Sequence, residues 1–152
     1  MSIIRLVGAP ATGKSYVAAR LETELAIPSF GIDQERLRYG WGDRAWVSLR
    51  EKVAAARKCI VETSGHSRND RVLCLGHPTL TILCTASRSI RAKRLRERVE
   101  VGYYLAAGQD DYVERLMKLG SPALKPHLVV NTDHDIGLDI WQRMLDHCRS
   151  LK

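Results

Sequence analysis

Two hydrophobic rhythms alternate along the chain. Ile3-Ile4-Arg5-Leu6-Val7 is a short apolar run of the kind that forms a buried strand. Val17, Ala18, Leu21 and Leu25 then recur at helical spacing. Pro28-Ser29-Phe30-Gly31-Ile32 predicts a short second strand. Trp46, Leu49, Val53 and Ala56 predict a helix over about 43–58, and Cys59-Ile60-Val61-Glu62 a third strand. Ser67-Arg68-Asn69-Asp70 reads as a capped start for a short helix through Leu75, broken by Gly76-His77-Pro78. Leu80 to Thr85 predicts a fourth strand. Ser89 then caps a helix whose inner face is Ala92, Leu95 and Val99. A further helix covers about 110–119 and ends at Gly120-Ser121-Pro122. His127 to Asn131 predicts a fifth strand, and Ile136, Ile140, Trp141, Met144, Leu145 and Cys148 mark a last helix.

Continuous apolar strands alternating with amphipathic helices imply a parallel sheet covered on both faces. The 152 residues suit a single α/β domain spanning 1–152, without a repeat or a linker. The apolar fraction of 45% is that of a globular chain. No apolar run is long enough to cross a membrane, and the first residues lack a signal peptide's apolar stretch, so a cytoplasmic location is expected. Four cysteines without C-x-x-C spacing read as small buried hydrophobes.

Gly8-Ala9-Pro10-Ala11-Thr12-Gly13-Lys14-Ser15 fits the phosphate-binding loop G-x-x-x-x-G-K-[ST] without a mismatch. It follows a strand and opens a helix, as that loop must. Small residues let backbone N–H groups converge on phosphate oxygens, and the helix start adds its positive end. Gly8, Ala11, Thr12, Gly13, Lys14, Ser15 and Tyr16 are therefore the expected nucleotide-binding positions. Lys14 would meet the β- and γ-phosphates, and Ser15 would ligate Mg²⁺.

Beyond this loop the order of elements over essentially the whole chain resembles the small P-loop kinases: shikimate and gluconate kinases, chloramphenicol phosphotransferase, zeta toxins and the kinase module of phage polynucleotide kinase. The resemblance implies a three-layer P-loop NTPase fold with a five-stranded parallel sheet in order 2-3-1-4-5. It also implies ATP and Mg²⁺ as cofactors and transfer of the γ-phosphoryl to a hydroxyl acceptor.

Residue by residue, it makes Asp33 the catalytic base, with Arg36 facing the acceptor and Arg38 as the alternative to Arg36. Read alone, Asp33 is a helix cap and Arg36 a solvated charge. Glu62 stands where relatives often carry Asp near Mg²⁺. His66 would border the acceptor or simply face solvent, and Arg71 would bind acceptor or brace its loop. The basic stretch Arg88 to Arg98 holds six Lys or Arg in eleven residues. The resemblance assigns Arg94 to adenine or the α-phosphate and Arg98 to the lid as a catalytic cation, with residues 99–111 as the lid connection. Asn131 and Asp133 would border adenine. The guanine-reading N-K-x-D pattern is absent, since position 132 is Thr and 134 is His, so ATP is expected rather than GTP.

The net charge of +7 and the Asp33/Arg36 pair lean toward a phosphate-bearing or nucleic-acid acceptor. A nucleic-acid acceptor has less support, because one Phe and no basic–aromatic interleaving provide little stacking surface. Trp41, Trp46 and Tyr103-Tyr104 read as an acceptor wall or an interface; oligomeric state is not legible. The competing reading is an ATPase or regulatory nucleotide-binding module without an acceptor, in which Glu62 orients water. Under either reading Lys14→Ala abolishes phosphoryl chemistry. Release or transfer of labelled γ-phosphate checks this, and unchanged turnover would refute the assignment of the loop.

Overall fold

The computed structural model describes residues 1–100 and 109–152. The expectations for the lid connection and for Tyr103-Tyr104 fall largely on the intervening segment and lie outside the described residues. Five strands, β1 (Ser2–Val7), β2 (Ser29–Gly31), β3 (Lys58–Glu62), β4 (Thr79–Thr85) and β5 (Leu128–Asn131), form one sheet in the order β2-β3-β1-β4-β5. Every pairing is parallel. Leu6 lies opposite Glu62 on one side and Ile82 on the other, so β1 is central.

Seven helices are described: α1 (Lys14–Leu25), α2 (Ile32–Tyr39), α3 (Asp43–Ala55), α4 (Arg68–Cys74), α5 (Arg88–Glu100), α6 (Gln109–Met117) and α7 (Leu138–Ser150). Successive strand residues point to opposite faces, which splits the core in two. Ile4, Leu6, Ile60 and Ile82 pack with Val17 and Leu21 of α1 and Trp141, Met144 and Cys148 of α7. Ile3, Cys59 and Val61 pack with Ile32 of α2, Trp46, Leu49 and Val53 of α3, and Leu73 of α4. The architecture is therefore helix, sheet, helix. A smaller cluster joins Ala11 of the phosphate loop to Leu95 of α5 and Met117 of α6.

The strands, α1, α3, α4 and α7 lie close to where the apolar rhythm puts them, and Ser67 caps α4 by accepting from the Asp70 N–H. Three details differ. Helix α2 is foreshadowed only by the reading of Asp33 as a helix cap, and Asp33 lies inside its first turn, with Gly31 at the cap position. Helix α5 begins at Arg88, and the hydroxyl that receives the Ile90 N–H at its start belongs to Ser87 rather than Ser89. Ile140 faces solvent on α7, while Ile136 is buried just ahead of that helix.

Burial pushes the thiols of Cys59 and Cys148 up to about 11 and that of Cys84 up to about 12, which keeps them protonated and unreactive. No described helix is long and apolar enough to cross a membrane.

One polar link crosses the second core. Arg5, in the middle of β1, forks onto Asp70 of α4 at 3.0 and 3.1 Å, and Asp70 also accepts from Thr63 Oγ1 at 2.6 Å. Asp70 is fully buried. Replacing it by Ala strands the Arg5 charge, a loss of about 3–5 kcal/mol for a buried pair broken on one side. The urea midpoint of Asp70→Ala measures this, and a midpoint like wild type would contradict the pair's importance.

Candidate functional site

The carboxyl ends of β1, β3, β4 and β5 open onto one crevice, where open parallel sheets place their ligands. The phosphate loop leaves β1 and turns through three positive φ angles, at Gly8, Ala11 and Gly13. A Cβ at Gly8 would meet the Cys84 carbonyl oxygen at 2.4 Å, so no larger residue fits against β4 there. Gly13, in the left-handed region, opens α1 and packs against the Thr132 side chain.

Lys14 Nζ donates to the carbonyls of Gly8 and Ala9 at 2.9 and 3.0 Å. Burial pushes its ammonium below the ordinary value, while Cys84, Asp33 and Glu62 oppose that shift and Arg98 adds to it. One lysine thus senses both candidate carboxylates and the candidate lid arginine. Ser15 Oγ donates to Glu62 Oε1 at 2.8 Å, joining the start of α1 to the end of β3. Burial raises the Glu62 carboxyl above its usual range, against the hydrogen bond from Ser15 and the charge of Lys14. Hard oxygens from Ser15 and Glu62 at the rim of a phosphate loop suit Mg²⁺, which takes one or two protein ligands and completes its shell with phosphate and water. No cluster of three or more His, Cys, Asp or Glu occurs among the described residues, so a dedicated protein cage is absent there.

Asp33 sits in the first turn of α2 and is exposed, with Arg36 Nη1 3.3 Å from its Oδ1. The Arg36 guanidinium lies 4.3 Å from the centroid of the exposed Trp41 ring and 5.8 Å from that of Trp46. Its Nε is buried without a hydrogen-bond partner among the described residues. Arg38 is exposed on the same helix. Two residues beyond Asp33, Glu35 is buried and accepts from Ser48 Oγ at 2.7 Å and from Lys52 Nζ, both on α3. Burial alone would raise that carboxyl, but Lys52 and Ser48 bring it below its ordinary value.

A cleft of about 740 Å³ is bounded by Gly13, Ser15 and Tyr16, by Arg94 and Arg98 of α5, and by Thr132–Ile136 after β5. Arg98 is half-buried there and makes no hydrogen bond among the described residues. Arg94 lines the same cleft, yet its guanidinium is engaged by Ala11 O at 3.1 Å and by Thr132 Oγ1 and O at 3.0 and 2.5 Å. Asp133 Oδ1 receives the Ser87 N–H, and Asn131 Oδ1 receives the Asp133 N–H. Asn131 thus holds its own loop, while Asp133 ties that loop to the one after β4 and also reaches the cleft wall. His66 Nε2 is 3.0 Å from the Gly120 carbonyl oxygen, which ties the loop after β3 to the turn after α6. Arg71 is exposed on α4, and its guanidinium has no hydrogen-bond partner among the described residues.

Three polar residues behind the site were not singled out from the sequence. Thr132 was noted only as a departure from N-K-x-D. Arg91 looked like one more charge in a basic helix, although its spacing of three from Arg94 and seven from Arg98 puts all three on one face. Glu35 carries no assignment from the sequence.

No family model matches the chain, and no curated protein matches it in sequence. Solved structures match it in shape. A protein of Chloroflexus aurantiacus J-10-fl provisionally described as a kinase is 20% identical, with a TM-score of 0.73 over 99% of this chain and 98% of that one. The shikimate kinase of Acinetobacter baumannii, solved with shikimate, is 17% identical, with a TM-score of 0.67 over 97% and 93%. The APS kinase of Mycobacterium tuberculosis, solved with AMPPNP and APS, is 18% identical, with a TM-score of 0.62 over 98% of both chains.

Glu62 gives the site a pH signature. Its folded value is raised, so the native state binds more protons than the unfolded state between the ordinary carboxylate value of 4.5 and that raised value. Its contribution to stability is therefore most favourable below 4.5 and is lost as pH rises through the window. Glu62→Gln has no such loss, so its melting temperature should gain on wild type as pH rises from 4 to 8. Parallel curves would show that Glu62 carries no such penalty. By its sheet order and its phosphate loop, this chain has the fold of the small P-loop kinases.

Proposed function

We propose that this protein is an ATP-dependent phosphotransferase that moves the γ-phosphoryl group of ATP to a hydroxyl acceptor. The observation that carries the reading is electrostatic. The charges of Asp33, Glu62 and Arg98 all act on Lys14 at the phosphate loop, Ser15 beside it donates to Glu62 Oε1 at 2.8 Å, and Arg98 lines the cleft that Gly13 and Ser15 bound. A phosphate-binding cation, two carboxylates and a second cation on the opposite wall are the parts this reaction needs.

Lys14 and the N–H groups of Ala11 to Ser15 bind the β- and γ-phosphates. Ser15 and Glu62 would hold Mg²⁺, which would screen phosphate charge. Asp33 takes the proton of the acceptor hydroxyl as its oxygen forms a bond to γ-phosphorus. The bond from γ-phosphorus to the bridging oxygen breaks, and ADP leaves. Arg98 compensates negative charge on the phosphoryl group in flight. Arg36, held between Asp33 and Trp41, offers a cation to the acceptor. The ATP base and ribose occupy the cleft between Tyr16, Arg94 and Thr132–Ile136. The acceptor faces α2 and the loop after β3.

Transfer of labelled γ-phosphate from ATP across a panel of hydroxyl compounds, 5′-hydroxyl oligonucleotides included, tests the activity and names the acceptor. In Asp33→Asn, transfer should fall by at least ~10²-fold while ATP still binds, in keeping with general-base magnitudes. Hydrolysis that survives Asp33→Asn but is lost in Glu62→Gln would instead make the protein an ATPase.

A further inference from the structure

The donors behind the phosphate loop contact consecutive carbonyl oxygens. Arg91 Nε donates to Pro10 O at 2.9 Å. Arg94 Nη1 donates to Ala11 O at 3.1 Å, and Thr132 Oγ1 donates to Thr12 O at 2.8 Å. They come from two elements distant in sequence, α5 and the end of β5. A trans peptide is planar, with its C=O and its N–H on opposite sides. Fixing the carbonyl of Pro10 therefore fixes the direction of the Ala11 N–H. Fixing Ala11 O sets the Thr12 N–H, and fixing Thr12 O sets the Gly13 N–H. No N–H from Ala11 to Tyr16 donates to another loop, cap or side-chain group among the described residues.

The three donors are themselves immobilised. Arg91 is buried, and its Nη2 also donates to Leu116 O and Leu119 O at the end of α6, at 3.2 and 2.9 Å. The negative end of that helix is a favourable place for a guanidinium that has no carboxylate partner among the described residues. Arg94 is tied to Thr132 by two further bonds. Thr132 is buried, and its methyl side packs where a Cβ on Gly13 would otherwise stand.

We propose that Arg91, Arg94 and Thr132 are positioning residues for phosphate binding. They grip the outer carbonyls of three successive peptide planes so that the Ala11, Thr12 and Gly13 N–H groups are aimed inward before any anion arrives. The loop then reorganises little on binding, which is how a polar site gains strength without a cost at the moment of use. This rests on the phosphoryl-transfer reading only in taking the loop to bind a polyphosphate.

The test uses the full ¹⁵N-labelled chain and inorganic tripolyphosphate, which carries phosphate chemistry without base or ribose. In wild type, calorimetry should detect binding, and the Ala11, Thr12 and Gly13 amide resonances should shift. Thr132→Val keeps the shape against Gly13 but removes the hydroxyl. Binding should weaken about tenfold, the loss expected for one hydrogen bond, with the Gly13 response reduced most. Thr132→Ser should restore both. Arg94→Lys, which keeps the charge but cannot span Ala11 and Thr132 together, should blunt the Thr12 response.

Wild-type affinity and amide responses in folded Thr132→Val and Arg94→Lys would overturn the proposal and leave the kinase reading intact. Should Thr132→Val not fold, the comparison of Arg94→Lys with wild type decides in the same way. Failure of wild type to bind tripolyphosphate would overturn both readings.

Discussion

The Lys14 ammonium is held back from water where β1 ends, and a charge in that position has to be compensated. Two loop carbonyls and the fields of Asp33 and Glu62 provide that compensation. Much of the surrounding structure follows from it. Glu62 must end β3 beside β1, which the strand order ensures, and Asp33 must open α2 directly from β2. The proposed polyphosphate would bring negative charge to the same ammonium. Burial raises Glu62 and lowers Lys14 for one reason: neither charge is fully solvated.

The acceptor side rests on a second polar anchor of different character. Glu35 is turned inward onto Ser48 and Lys52, which locks α2 against α3 and so sets where Asp33 stands. On the other flank, Arg5 and Thr63 converge on Asp70, which fixes the loop after β3 relative to the central strand. Both carboxylates are polar groups within apolar layers, and each has all the donors such burial demands. The site is thus carried by two buried acids that take no part in its chemistry.

These anchors explain what the sequence could and could not reveal. The phosphate loop has a fixed spacing, and the strands are unbroken apolar runs, so loop and sheet were legible at once. Helix α2 was not, because its buried residues are Ile32 and Glu35 while Leu37 is exposed, which inverts the usual polarity of an amphipathic face. The basic stretch on α5 had the opposite problem. Composition marks six cations, but only the fold separates Arg91 and Arg94, which are engaged by main-chain carbonyls, from Arg98, which faces the cleft. Asn131 and Asp133 were legible as a loop after β5; Asn131 accepts from the Asp133 N–H within that loop, but the partner of Asp133 is Ser87, far away in sequence.

The hydrogen bonds to Pro10, Ala11 and Thr12 join donors to carbonyls rather than to carboxylates. Such contacts are partly sheltered from solvent, and mobile ions screen them far less than they screen exposed charges. A polyphosphate bound as proposed would be attracted by Arg98 from the wall of an open cleft, where salt screens more strongly. Ionic strength therefore separates the shape of this loop from its affinity. As salt rises, the loop keeps its form while the proposed hold on an anion weakens.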